Sequence, residues 1–122
     1  MKKILLVEDD SFLIDIYTTK LKESGFSVEV APEGDEAIRK VKEEEFDLVL
    51  LDIVLPKIDG WDILKQIKAE SKLKDLKVII ISNLSQKEEV EKGMNLGAEK
   101  YLIKAHYTPS EVAKEIKEVL GE

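Results

Sequence analysis

Five short apolar runs, Ile4–Val7, Ser27–Val30, Leu48–Leu51, Val78–Ile81 and Tyr101–Ile103, alternate along the chain with segments long enough to be helices. That alternation limits the fold more than any other feature. The intervening segments carry apolar residues three and four positions apart, the spacing of a helix with one buried face. Leu13, Ile16, Tyr17 and Leu21 form the first stripe, closed by Gly25, and Asp10 or Ser11 is placed to cap that helix. Ala37, Ile38 and Val41 follow Pro32, a residue suited to a helix's first turn. Ile63, Leu64 and Ile67 form a third stripe, and Val90, Met94 and Leu96 a fourth that ends at Gly97. The last helix has the clearest start, with Thr108 as N-cap, Pro109 at the first position and Glu111 completing a capping box, ahead of Val112, Ile116, Val119 and Leu120. Five strands alternating with five helices predict an α/β, three-layer, doubly wound, flavodoxin-like domain with a parallel sheet in the order 2-1-3-4-5. Runs such as "VIII" without polar alternation fit strands buried on both faces.

At 122 residues the chain has the length of one ordinary domain, and we expect residues 1–122 to form a single one. No apolar run approaches the roughly 20 residues that span a bilayer. The opening "MKKILLVEDD" is too short in its apolar part for a signal peptide, so a cytoplasmic protein with no membrane contact is expected. The absence of cysteine excludes disulfides, thiolate chemistry and zinc–sulfur sites. A net charge of −7 disfavours direct contact with nucleic acid. The one histidine, His106, has no evident orienting partner and is expected in a solvent-facing loop.

In open parallel sheets, ligands bind beyond the carboxyl ends of the strands, where the strand order reverses. The residues that follow the apolar runs are Glu8, Asp9 and Asp10 after the first, Asp52 after the third, Ser82 after the fourth and Lys104 after the fifth. Each alone has a plain explanation as a cap, a turn former or a solvated lysine. In the 2-1-3-4-5 order, however, these ends are neighbours and converge on one pocket. Two carboxylates about 4 Å apart repel by roughly 4 kcal/mol at an effective dielectric near 20. Glu8, Asp9 and Asp52 together exceed what Lys104 neutralises. A hard divalent cation resolves the imbalance, and oxygen-only ligands favour Mg²⁺, with Mn²⁺ possible, over zinc. With metal and lysine in place an anionic phosphoryl group becomes bindable, and Asp52 is the candidate nucleophile toward phosphorus.

These residues, in "LLVEDD" (5–10), "LLDIVLPKIDGWDIL" (50–64), "IIIS" (79–82) and "YLIK" (101–104), resemble the receiver domain of two-component response regulators, of the chemotaxis-regulator-like kind, over essentially the whole chain. The resemblance implies that Asp52 takes a phosphoryl group from a sensor histidine kinase or phosphotransfer protein. It implies that Asp9 binds Mg²⁺ directly, Glu8 through water, and Asp52 and the backbone carbonyl of Val54 as further ligands. Lys104 would pair with the phosphoryl oxygens, and Ser82 would hydrogen-bond one of them. Tyr101 stands where the family's switch aromatic stands, the plain alternative being an aromatic on an edge strand. Pro56 and Gly60 would shape the loop after the acceptor, with Trp61 beyond it a packing residue. A downstream protein target is expected on the face formed by the fourth helix, fifth strand and fifth helix. The expected state is a monomer or a weak phosphorylation-dependent homodimer, catalysing only its own phosphorylation and dephosphorylation.

Three departures from the family pattern stand out. Ser82 replaces the commoner Thr, Asn83 a usual small residue, and Ala105 the proline that normally follows the lysine. Cis proline costs little, whereas a cis bond before alanine costs roughly 2.5–4 kcal/mol. A trans Lys104–Ala105 peptide is therefore expected, with Lys104 still reaching toward Asp52. Among rivals, a pseudo-receiver that binds partners without phosphorylation usually shows a broken pocket, and here every position is filled. A haloacid-dehalogenase-type hydrolase would have a second Asp where Val54 stands, and an FMN carrier would not have "EDDSF" as its phosphate loop. The starting methionine favours an intact N-terminus, and both a stand-alone receiver and a fragment of a longer regulator stay open.

Overall fold

The computed structural model describes residues 1–122. Strands β1 (Lys3–Val7), β2 (Ser27–Ala31), β3 (Leu48–Leu51), β4 (Lys77–Ser82) and β5 (Lys100–Ile103) alternate with helices α1 (Ser11–Glu23), α2 (Gly34–Glu43), α3 (Gly60–Ala69), α4 (Lys87–Asn95) and α5 (Pro109–Leu120). All pair in parallel in the order β2-β1-β3-β4-β5, as expected from the alternation. Leu48 to Leu51 are completely buried, which is why β3 shows no polar alternation.

The two faces of the sheet carry separate cores. Leu5, Val7, Val49, Leu51, Val78 and Ile80 meet residues of α2 and α3, among them Ala37, Val41, Ile63 and Ile67. Ile4, Leu6, Leu48, Leu50, Ile79 and Ile81 meet α1 and α5 through Tyr17, Leu21, Val112 and Ile116. Because β1 lies between β2 and β3, the chain leaves β1 toward one face and β3 toward the other, and a crevice opens between their carboxyl ends.

Helix starts follow the side-chain chemistry. The Asp10 carboxylate accepts from the backbone N–H groups of Phe12 and Leu13, so Asp10 rather than Ser11 caps α1. Asp59 accepts from the Asp62 N–H, and the Thr108–Glu111 capping box forms as read, with Pro109 in the first turn. Two helix expectations need correction. Pro32 precedes the N-cap Glu33 and is not in the first turn of α2, because the helix starts at Gly34, where a Cβ would collide with the Ile58 carbonyl at 2.8 Å. Met94 does not bury, being 44% exposed. The residue that α4 turns inward is Gly93, whose missing side chain lets the helix lie directly on Ile80 and Tyr101.

After β5 the chain makes a short 3-10 turn, Lys104–His106, in which His106 is exposed. No peptide bond is cis, so Lys104–Ala105 is trans as expected.

Candidate functional site

The backbone holds the pocket residues by continuing the sheet past its regular end. The Glu8 N–H donates to the Ala31 carbonyl at 3.3 Å and the Asp52 N–H to the Val7 carbonyl at 3.0 Å. Both carboxylates therefore leave a rigid support, which is what precise positioning requires. Glu8 is 1% exposed and Asp52 4%. Ser82, the last residue of β4, is fully buried, while Asp9 is exposed.

Lys104 ties the pocket together. Its Nζ donates to Glu8 Oε1 and to Asp52 Oδ2, both at 2.8 Å. Glu8 Oε2 accepts from the backbone N–H groups of Asp9 and Asp10, each at 3.2 Å, and Asp52 Oδ1 accepts from the Val54 N–H at 3.1 Å. Buried ionised groups persist only when paired in this way. Burial raises the Glu8 pKa against the pull of Lys104, and the nearby Asp52 charge adds to the rise. For Lys104, burial acts downward, but its hydrogen bonds to Asp52 and Glu8 prevail and the ammonium is held more firmly than usual.

One carboxylate oxygen each from Glu8, Asp9 and Asp52 lie within 4.8 Å of one another. Oxygen-only donors at this spacing, facing a single ammonium, suit a hard divalent cation. The loop that follows Asp52 folds tightly on itself. The Gly60 N–H donates to the Ile53 carbonyl at 2.8 Å, and a Cβ on Gly60 would come within 2.5 Å of the Asp52 carbonyl oxygen. Lys57 in this loop adopts φ 64°, the left-handed region, and its ammonium reaches Glu33 at 2.9 Å. Val54 leaves its side chain 59% exposed at the pocket rim.

On the β4 side, Ser82 Oγ accepts from the Leu84 N–H at 3.2 Å, and the Tyr101 hydroxyl donates to the Leu84 carbonyl at 2.6 Å. The structure thus brings Glu8, Asp9, Asp52 and Lys104 into one cluster, and links Ser82 to Tyr101 beside it. Two features escaped the sequence. Lys92 of α4 lies over the Trp61 ring of α3, 4.5 Å from its centroid, so Trp61 packs as expected but also holds a cation. Tyr17, placed only as one of an apolar stripe, proves to be buried near the charged pocket. Its signal was available, since it is the one polar side chain in that stripe.

Comparison with known proteins agrees with this fold. The family model described as "Response regulator receiver domain" matches residues 4–117. The alkaline phosphatase synthesis transcriptional regulatory protein PhoP of Bacillus subtilis is 36% identical over 98% of this chain and 48% of its own length. The chain thus spans about half the length of this curated relative. Among solved structures, a CheY-like receiver domain protein of Methanospirillum hungatei superimposes with a TM-score of 0.91 at 30% identity, covering 99% of this chain and 94% of that one. The receiver domain of Francisella response regulator 1452 gives a TM-score of 0.92 at 26% identity, covering 99% and 98%.

Proposed function

The chain belongs to the response regulator receiver family, and from that premise we propose that residues 1–122 act as one receiver domain whose Asp52 accepts a phosphoryl group from a phosphohistidine of a sensor histidine kinase or phosphotransfer protein. The observation that carries this reading is the Lys104 ammonium shared between Asp52 and Glu8 at 2.8 Å, with Asp9 beside them. Lys3 and Lys100 also face two carboxylates each, but at the partly exposed surface, whereas here Glu8 and Asp52 are buried and a third carboxylate, Asp9, lies beside them.

In the transfer, an Asp52 carboxylate oxygen forms a bond to phosphorus while the bond from phosphorus to the donor's imidazole nitrogen breaks. The electron pair of that bond stays on the imidazole, and Asp52 becomes an acyl phosphate. Lys104 would turn from the carboxylate to the new phosphoryl oxygens. Ser82 would rotate its hydroxyl toward one of them. Glu8, Asp9, Asp52 and the Val54 carbonyl would hold Mg²⁺, which when bound supplies the positive charge that an incoming phosphoryl group needs in an acidic pocket. Asp9 is the exposed member, open to an arriving ion.

The chain would catalyse only its own phosphorylation and dephosphorylation. Its partners would be the phosphodonor at the pocket rim and a downstream protein on the face of α4, β5 and α5, and its own state a monomer or a weak phosphorylation-dependent homodimer. The proposal that it makes no contact with nucleic acid is confined to these 122 residues. Relatives of about twice the length are named transcriptional regulators.

Acetyl phosphate with Mg²⁺ tests the reading. One phosphoryl group should be added, seen by intact mass, and Asp52→Asn should abolish it. Equal labelling of the Asn variant would remove Asp52 from the role, and labelling that survives chelation would remove the metal.

A further inference from the structure

The loop that joins Asp52 to α3 is pressed between two glycines. At its base the Gly60 N–H donates to the Ile53 carbonyl at 2.8 Å. A Cβ on Gly60 would stand 2.5 Å from the Asp52 carbonyl oxygen and from Ile53 Cα. On its far side the loop leans on the start of α2. A Cβ on Gly34 would stand 2.8 Å from the Ile58 carbonyl oxygen, 2.9 Å from Ile58 Cβ and 3.2 Å from Ile63 Cδ1. Gly34 does not have a positive φ, so it is the close approach of Ile58 that leaves no room for a side chain.

The neighbouring residues meet as well. Glu33 precedes Gly34 and Lys57 precedes Ile58, and the Lys57 ammonium reaches the Glu33 carboxylate at 2.9 Å. Lys57 holds φ 64°, a conformation that a residue with a Cβ keeps only where its surroundings impose it. The exposed ion pair adds little by itself; the backbone contact is the stop. Ile63 is fully buried and Ile58 only partly so. A methyl group added at Gly34 therefore displaces the backbone of Ile58 and the loop with it. That loop carries Val54, whose N–H donates to Asp52 Oδ1 at 3.1 Å. Val54 lies inside the ring that the Gly60–Ile53 bond closes.

We propose that Gly34 is a positioning residue for the Asp52 side of the pocket. Its bare α-carbon is the seat that sets the height of residues 53–59, and with them the place of the Val54 carbonyl. The start of α2, which contributes no side chain to the acidic cluster, thereby tunes how well that cluster takes a cation. The consequence for the metal rests on the Mg²⁺ reading of the pocket; the seat itself does not.

Hydrogen exchange and calorimetry on the full chain test the two parts. In chelator, Gly34→Ala should speed exchange of the Gly60 amide about fivefold, the size of one weakened hydrogen bond. Val41→Ala empties space further along the same helix, where Val41 is 4% exposed, and should leave that amide within about twofold of wild type. Mg²⁺ should bind Gly34→Ala about tenfold more weakly, the low end for a partner that orients a metal ligand, and should bind Val41→Ala as it binds the wild type. An unchanged Gly60 amide, or equal effects of the two variants, overturns the seat. A faster Gly60 amide with unchanged Mg²⁺ affinity overturns the role toward the metal. Should Gly34→Ala fold poorly, the wild type reads the same coupling in reverse, because linkage is reciprocal. Mg²⁺ should then slow exchange at Ala37, whose N–H donates to the Glu33 carbonyl at 3.1 Å, and not at Glu44 at the far end of α2. Equal slowing at both ends, or none while Mg²⁺ binds, overturns the proposal. Failure of the wild type to bind Mg²⁺ would instead remove the metal reading, and Gly60 exchange would still decide the seat.

Discussion

Ser82 and Tyr101 are joined through the backbone of Leu84: the Leu84 N–H donates to Ser82 Oγ and the Leu84 carbonyl accepts from the Tyr101 hydroxyl. The residue beside the acidic pocket and the aromatic of β5 thus grip the same short stretch of the β4–α4 connection. The shortest path between the two side chains therefore runs through one residue.

Tyr101→Phe should therefore loosen the β4–α4 connection without touching the pocket. One part-buried hydrogen bond is worth about 1 kcal/mol, so amides of residues 83–90 should exchange about fivefold faster by hydrogen–deuterium exchange. Labelling of Asp52 by acetyl phosphate should change little. Unchanged exchange would show that the bond to Leu84 does not restrain this segment.

Gly93→Ala sets two effects against each other. Alanine is better than glycine in a helix interior by about 1 kcal/mol, which alone would stabilise α4. The added Cβ would stand 2.7 Å from Ile80 Cδ1 and 2.9 Å from Tyr101 Cδ2. Ile80 is fully buried and has nowhere to go, so α4 must lift or the Tyr101 ring must swing out and leave Leu84. Overpacking of this kind costs about 1–3 kcal/mol. The variant should melt below the wild type despite its higher helix propensity. A higher melting temperature would show that Tyr101 yields freely.

The same glycine shows how far the sequence could be read. Strands, order and the charged strand ends were legible because apolar run length and the type of the following residue are local properties. What depends on how a helix is rotated was not legible. Met94 had the right spacing for an inward stripe, yet Gly93 is the residue that faces in, since only the neighbour across the interface decides how close α4 comes. Tyr17 and Leu21 both bury as their stripe predicts, but periodicity cannot say that the charges of the pocket act on one of them. Lys92 over Trp61 joins two helices far apart in sequence, and no spacing rule reports it.

A pH dependence follows from the edge strand β2. Glu29 contacts Lys3 at 2.9 Å and Lys40 at 3.1 Å, and Lys3 also reaches Glu44 at 2.7 Å. Glu44 when it carries a proton, then Lys3 and Lys40, donate hydrogen bonds to the Glu29 carboxylate and lower it from its ordinary 4.5 to about 2. A carboxylate whose pKa is depressed on folding stabilises the fold above its unfolded value and loses that contribution as pH falls through the folded one. The stability from Glu29 should thus be complete above about pH 4.5 and decline toward pH 2. Denaturant titrations of Glu29→Gln should show lower stability than wild type at pH 7 and a shallower decline between those limits. Parallel curves would show that Glu29 contributes nothing through its charge, the common outcome for exposed ion pairs.

Lys104→Met should expose how the pocket balances its charge. Removing the ammonium leaves Glu8 and Asp52, 1% and 4% exposed, facing each other with no cation. Breaking one partner out of a buried ionic group costs about 3–5 kcal/mol, so the variant should melt well below the wild type in chelator. The same loss removes the positive charge that opposes an arriving cation. Mg²⁺ should therefore bind the variant more tightly than the wild type, and raise its melting temperature by more at equal concentration, because a ligand stabilises in proportion to the logarithm of its concentration over its dissociation constant. Phosphoryl labelling should still fall, since metal restores the charge of the pocket but not a donor aimed at Asp52. A variant that Mg²⁺ stabilised no more than the wild type would show that Lys104 and the cation do not share the Glu8–Asp52 pair.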